Sequence, residues 1–142
     1  MAVSDSKEID IEADKSAVLD VIADLEGLPS WSSIHKKVKV VERTDDGLPK
    51  RAEMTISLLG VNDDQVLEYT WSDDGVTWEM IESSQQKSQT AEYRLTEKDG
   101  KTHVFFEMTV DLKVPMPGFL VKKGTKSVLQ TATEGLREQV VR

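Results

Sequence analysis

The chain has two histidines, His35 and His103, and no cysteine. Without thiolates there is no disulfide framework, no zinc site built on sulfur and no cysteine nucleophile. Neither histidine belongs to a His-x-His or Glu-x-x-His pair, so the spacing offers no metal site and implies no cofactor. His103 falls on the polar side of an alternating segment, and His35 precedes Lys36 and Lys37. Both read as solvated surface histidines. There is no phosphate loop, dinucleotide fingerprint or Gly-x-Ser-x-Gly elbow. Asn62-Asp63-Asp64 and Asp73-Asp74-Gly75 lack the alternating ligand spacing and closing glutamate of a calcium loop, and read as turns. What remains on the apolar sides of the strands is Tyr69, Tyr93, Gln89 and the indole N–H groups of Trp31 and Trp78. These could orient a ligand oxygen, with Tyr69 and Tyr93 the best placed, but they form no catalytic constellation. A slip of one residue at a bulge would instead turn Arg51, Glu53, Glu68, Glu82 or Arg94 inward.

The elements that must position these groups follow from periodicity. Turn signals recur at Asp45-Asp46-Gly47, Asn62-Asp63-Asp64, Asp73-Asp74-Gly75, Ser83-Ser84-Gln85 and Lys98-Asp99-Gly100. Between them lie alternating segments over 51–58, 65–71, 76–81, 89–95 and 102–112, with weaker ones at 37–43 and 7–12. In 102–112, Val104, Phe106, Met108, Val110 and Leu112 share one face, and Phe105 joins the polar residues on the other. Helical spacing replaces alternation twice. Asp14 is a fitting N-cap for Val18, Val21, Ile22 and Leu25, and Gly27 with Pro29 ends that helix before a short turn through Trp31 to Ile34. Beyond Pro115 and Pro117, about 25 residues carry a single apolar stripe and no proline. Six or seven strands with segregated helices make an α+β fold, and 142 residues suit one domain over 1–142.

A formal net charge of −8 argues against nucleic acid as a partner. Residues 1–35 carry a net of −6, whereas residues 113–142 carry +4. Either the two ends pack together and balance, or the terminal helix meets an anionic surface as a peripheral contact. The opening MAVSDSKEIDIEADK has no basic n-region or apolar core, and no run approaches the ~18 apolar residues that span a bilayer. A cytoplasmic protein with no integral membrane contact is the expectation.

The element order, with VLDVIADLEGLPSW (18–31), YTWSDDGVTWEM (69–80) and TVDLKVPMPGFLVKK (109–123), resembles the SRPBCC superfamily. That group includes START-type lipid-transfer domains, the birch-pollen allergens, and the polyketide cyclase/dehydrase and lipid-transport family. Nearest in pattern are actinobacterial, particularly mycobacterial, members of unknown function. The resemblance covers almost the whole chain and implies a helix-grip fold, in which a curved antiparallel sheet wraps a long C-terminal helix around a pocket. It places Met54, Ile56, Leu67, Tyr69, Trp78 and Met80 on the pocket's sheet side, with Tyr93, Phe106 and Met108. Trp31 and Ile34 would lie near the mouth, and Val121, Gly124, Val128 and Ala132 on the helix. Gly124 and Gly135 leave the helix thin on its inward side, which fits either close helix–sheet contact or room for a guest. The implied function is binding of an apolar or amphipathic small molecule, such as a lipid, polyketide or isoprenoid, as carrier or sensor. One alternative is a cyclase or dehydratase using the same cavity. Another is an interaction protein or toxin-like partner, with Phe105 and Ile81 on an exposed patch. The oligomeric state is left open.

Overall fold

In the computed structural model, which describes residues 2–142, alternation of apolar and polar side chains resolves into seven antiparallel strands. These are β1 (Ala2–Ile11), β2 (His35–Arg43), β3 (Pro49–Leu58), β4 (Val61–Ser72), β5 (Gly75–Ser83), β6 (Gln86–Lys98) and β7 (Lys101–Leu112). The sheet order is β1-β7-β6-β5-β4-β3-β2. All consecutive strands from β2 to β7 are hairpin neighbours, and β1 closes the sheet against β7. One face carries Ala52, Met54, Leu67, Tyr69, Val76, Ala91, Tyr93, Leu95, Val104, Phe106 and Met108, each at most 7% exposed. The helix-grip α+β expectation therefore holds.

The first helix ends at Ala23, short of the expected Leu25 and Gly27, and two details of the sheet also depart from the sequence reading. β1 begins at Ala2 rather than near residue 7, because its polar first half pairs with β7 from Ala2↔Asp111 onward. The β3–β4 turn falls on Leu59 and Gly60, both at positive φ (54° and 78°), with Val61 between it and Asn62-Asp63-Asp64. Gly60 tolerates that backbone at no steric cost, so Asp63 is carried into β4 opposite Ile56.

Between β1 and β2 come α1 (Lys15–Ala23), a 3₁₀ turn (Leu25–Gly27) and α2 (Leu28–Trp31). Asp14 caps α1, its carboxylate accepting from the Ala17 N–H at 2.8 Å. The terminal segment is α3 (Gly118–Gln130), a π-helical turn (Thr131–Gly135) and α4 (Leu136–Val140). In the π turn the Leu136 N–H bonds to the Thr131 carbonyl, five residues back, which relieves the Ala132 carbonyl of its ordinary helical partner. The Tyr93 hydroxyl donates to that carbonyl at 2.8 Å, fastening helix to sheet. Thr133 and Leu136, both fully buried, complete this contact.

The two chain ends do pack together. Arg137 pairs with Glu12 at 2.8 Å and Lys7 with Glu134 at 2.9 Å. Lys122, Lys123 and Lys126 make no ion pair among the described residues. No helix is long and apolar enough to cross a membrane.

The Tyr93 bond makes a clear contrast with Tyr69, which is equally buried but has no hydrogen-bonding partner for its hydroxyl among the described residues. Tyr93→Phe strands the Ala132 carbonyl and is expected to cost about 1–2 kcal/mol. Tyr69→Phe is expected to be neutral within ~0.5 kcal/mol. Urea unfolding of the two variants checks this, and equal losses would remove the Tyr93 bond as the fastening.

Candidate functional site

Between the apolar sheet face and the terminal helix lies a cavity of about 220 Å³. Its floor is aromatic. Trp78 lies 5.3 Å from Tyr69 and 5.9 Å from both Tyr93 and Phe106, and Tyr93 meets Phe106 at 4.8 Å between centroids. Tilted pairs of this kind contribute about 0.5–1.5 kcal/mol each beyond area burial. Met54 and Ile56 of β3, Leu67 of β4 and Met108 of β7 extend the floor, and Val121, Gly124, Val128 and Ala132 form the helical roof. Trp31 and Ile34 close one side.

Of the residues expected at the pocket, Met80 alone stands outside the lining. It is half-buried against the core opposite Leu67, just before the register shift that leaves Ile81 without a partner on β4. That shift brings Ser83, not Glu82, onto the inner face opposite Gln65. Arg51, Glu53, Glu68, Glu82 and Arg94 are all absent from the lining. Arg51 pairs with Glu68 on the outer face. Arg94 covers the Phe105 ring at 4.4 Å, so Phe105 does not join Ile81 in a bare patch.

The two helix glycines face different neighbours. A Cβ on Gly124 would meet only the Leu59 side chain, at 3.6 Å. On Gly135 it would meet the Trp31 ring at 3.5 Å, and both are ordinary contact distances, so neither position demands glycine for want of space. Val114, part of the lining, is 63% exposed, and Phe119 at the start of α3 is 72% exposed.

Sequence reasoning missed the polar end of the cavity, formed by His35, Asp63, Gln65, Gln85 and Gln86 together with the anticipated Gln89. Asp63, only 7% exposed, is cradled by Ser83 Oγ at 2.7 Å, Ser84 N and Oγ at 3.0 Å, Gln65 Nε2 at 2.8 Å and Gln86 Nε2 at 3.0 Å. Burial disfavours its charge, but the hydrogen bonds from Ser83, Gln65, Ser84 and Gln86 outweigh burial and hold the carboxyl below its usual range. Once the turn is placed on Leu59-Gly60, strand parity puts Asp63 and Gln65 inside with Leu67.

His35 is not a solvated histidine. Burial pushes its pKa down to about 4, so the ring is neutral. Ser32 Oγ already accepts from the Ile34 and His35 N–H groups, at 3.3 Å each. Its one proton therefore goes to His35 Nδ1 at 2.6 Å, which leaves the imidazole protonated on Nε2. His103 does sit at the surface, bridging Glu8 and Asp10 at 2.8 and 2.7 Å, and those carboxylates raise its pKa. Burial pushes the Tyr69 and Tyr93 hydroxyls up, so both remain protonated donors. Among the described residues no cluster of His, Asp or Glu could hold a metal ion.

Residues 2–141 match the model of the family described as polyketide cyclase / dehydrase and lipid transport. A START superfamily protein from Mycobacterium smegmatis superposes with a TM-score of 0.87 at 18% identity, over 96% of each chain. A Thermus thermophilus protein gives 0.83 at 21% identity, over 98% of this chain and 97% of its own. The Zhui aromatase/cyclase from a Streptomyces species gives 0.82 at 11% identity, over 100% and 95%. Comparison with curated proteins returned no match.

The neutral His35 makes a pH prediction with a definite sign. Its folded pKa of about 4 lies below the ordinary 6.5, so its contribution is complete above pH 6.5 and lost as pH falls toward 4. Allowing for partial solvent access, wild type should lose about 2 kcal/mol more than His35→Asn between pH 7 and 4.5. Parallel urea titrations measure the difference. Identical slopes would mean the ring is solvated.

Proposed function

Because the chain belongs to the polyketide cyclase/dehydrase and lipid-transport family, we propose that it binds an apolar or amphipathic small molecule between sheet and helix, as a carrier or sensor. One observation carries the reading: the interior of the grip is a cavity walled by aliphatic and aromatic side chains, not a filled core. Natural interiors are close-packed, and an apolar void forfeits the dispersion contacts of its lining. A guest restores those contacts and removes its own apolar surface from water, at roughly 25 cal/mol per Å². The residues expected to touch it are Trp31, Ile34, Met54, Ile56, Leu67 and Tyr69, then Trp78, Tyr93, Phe106 and Met108, with Val121, Gly124, Val128 and Ala132 from the helix. Met80, which stands outside the lining, is not among them.

A second reading, cyclase or dehydratase chemistry in the same space, has one specific support. The neutral His35 imidazole borders the cavity with its Nδ1 already occupied by Ser32. A neutral imidazole can move a proton where an imidazolium cannot accept one. This reading expects ring closure of a poly-β-ketone substrate, with turnover lost and binding retained in His35→Asn. A wild-type protein that binds such a substrate unchanged rules it out.

Val128 sits mid-roof, and tryptophan there would occupy the space a guest needs. Titration with the fluorescent apolar probe N-phenyl-1-naphthylamine should show saturable binding to wild type and at least tenfold weaker binding to Val128→Trp. Thermal unfolding of the variant should stay cooperative. Unchanged affinity would place the probe outside the cavity and remove the carrier reading.

A further inference from the structure

The polar end of the cavity has an unusual balance of donors and acceptors. Gln65 is only 3% exposed, and its Nε2 donates to Asp63 Oδ2. Gln86 Nε2 donates to the same oxygen. A carboxylate oxygen can only accept, so these two amides must present nitrogen to Asp63 and keep their carbonyls turned from it. Both carbonyl oxygens, Gln65 Oε1 and Gln86 Oε1, are buried without a hydrogen-bond partner. Both residues border the cavity. Buried acceptors of this kind are uncommon, and each calls for a donor.

The charges point the same way. Asp63 is the one formally charged residue of the cavity lining, and no lysine or arginine is among the described residues that line it. Its carboxyl is held below the usual range by its hydrogen bonds. Lys113 is not part of the lining, and its Nζ donates to the Ser83 carbonyl at 2.7 Å and not to Asp63. The donors near this end are uncharged: the His35 imidazole and the Gln89 amide, with the unpartnered Trp78 Nε1–H on the floor.

We propose that the ligand is an alcohol or phenol whose hydroxyl seats at this end, donating to the Gln65 and Gln86 carbonyls, and that carboxylates and other anions are disfavoured there. A hydroxyl brings the missing donor and can accept from a neutral N–H in return. A carboxylate brings two more acceptors beside a buried negative charge, where no cation compensates and the low dielectric magnifies repulsion. The inference rests on the carrier reading and narrows it to a ligand class.

Three probes with one apolar body separate the possibilities at pH 8: 1-decanol, its methyl ether and decanoate, each displacing N-phenyl-1-naphthylamine. Decanol should bind about fivefold or more tighter than the ether, which lacks the donor. It should bind at least about tenfold tighter than decanoate. In the double variant Gln65→Met, Gln86→Met the advantage of decanol over the ether should vanish. In Asp63→Asn the penalty on decanoate should shrink. Equal affinities of wild type for all three probes would overturn the proposal while leaving the carrier reading intact, as would an alcohol preference that survives the double variant. If N-phenyl-1-naphthylamine and all three probes fail to bind wild type, the carrier reading and this inference fall together. The wild-type comparison stands even if a variant does not fold.

Discussion

The terminal helix is fastened to the sheet where the Tyr93 hydroxyl meets the Ala132 carbonyl, and the cavity lies between that helix and the aromatic face. There the π turn releases the Ala132 carbonyl to Tyr93, and the Trp31 ring packs beside Gly135. Thr133 and Leu136 are fully buried there. Toward Gly118 the helix has small or short inward residues at Gly124 and Val128, and Phe119 is largely in solvent.

The lining of that cavity divides chemically along its length. Its aromatic floor offers surface area and little directional bonding, which suits a range of apolar bodies. Its far end is built around a buried aspartate whose cradle uses the nitrogen ends of two glutamine amides. Stabilising Asp63 therefore leaves two buried amide carbonyls without a donor. Shape selection would lie in the floor and polar selection in this end, so the two can be altered separately.

Much of the architecture was legible in the chain. Alternation in 102–112, the Asp14 cap and the Asp-Gly hairpins translate directly into β7, α1 and their turns. The pocket's apolar residues were legible for the same reason, since strand parity sorts faces without knowledge of distance. Three features were not. The first half of β1 is polar and strand-like only because β7 pairs with it. Asp63 looked like turn chemistry because Asn-Asp-Asp is a common loop composition, yet a hairpin at Leu59-Gly60 carried it inside. His35 looked solvated beside two lysines, but Ser32 and the cavity wall hold its ring in. In each case a long-range contact, rather than local propensity, decided the environment.

Whether a guest lies inside the grip is tested most directly by intermolecular NOEs between N-phenyl-1-naphthylamine and methyl-labelled protein. A guest in the cavity gives NOEs from the probe to Met54, Met108, Ile56 and Val128, which share the lining, and that is the expected result. NOEs confined to the exposed Val41 and Ile81 methyls, which lie outside the lining, would contradict it, placing the guest on the surface and leaving the interior a core without a ligand.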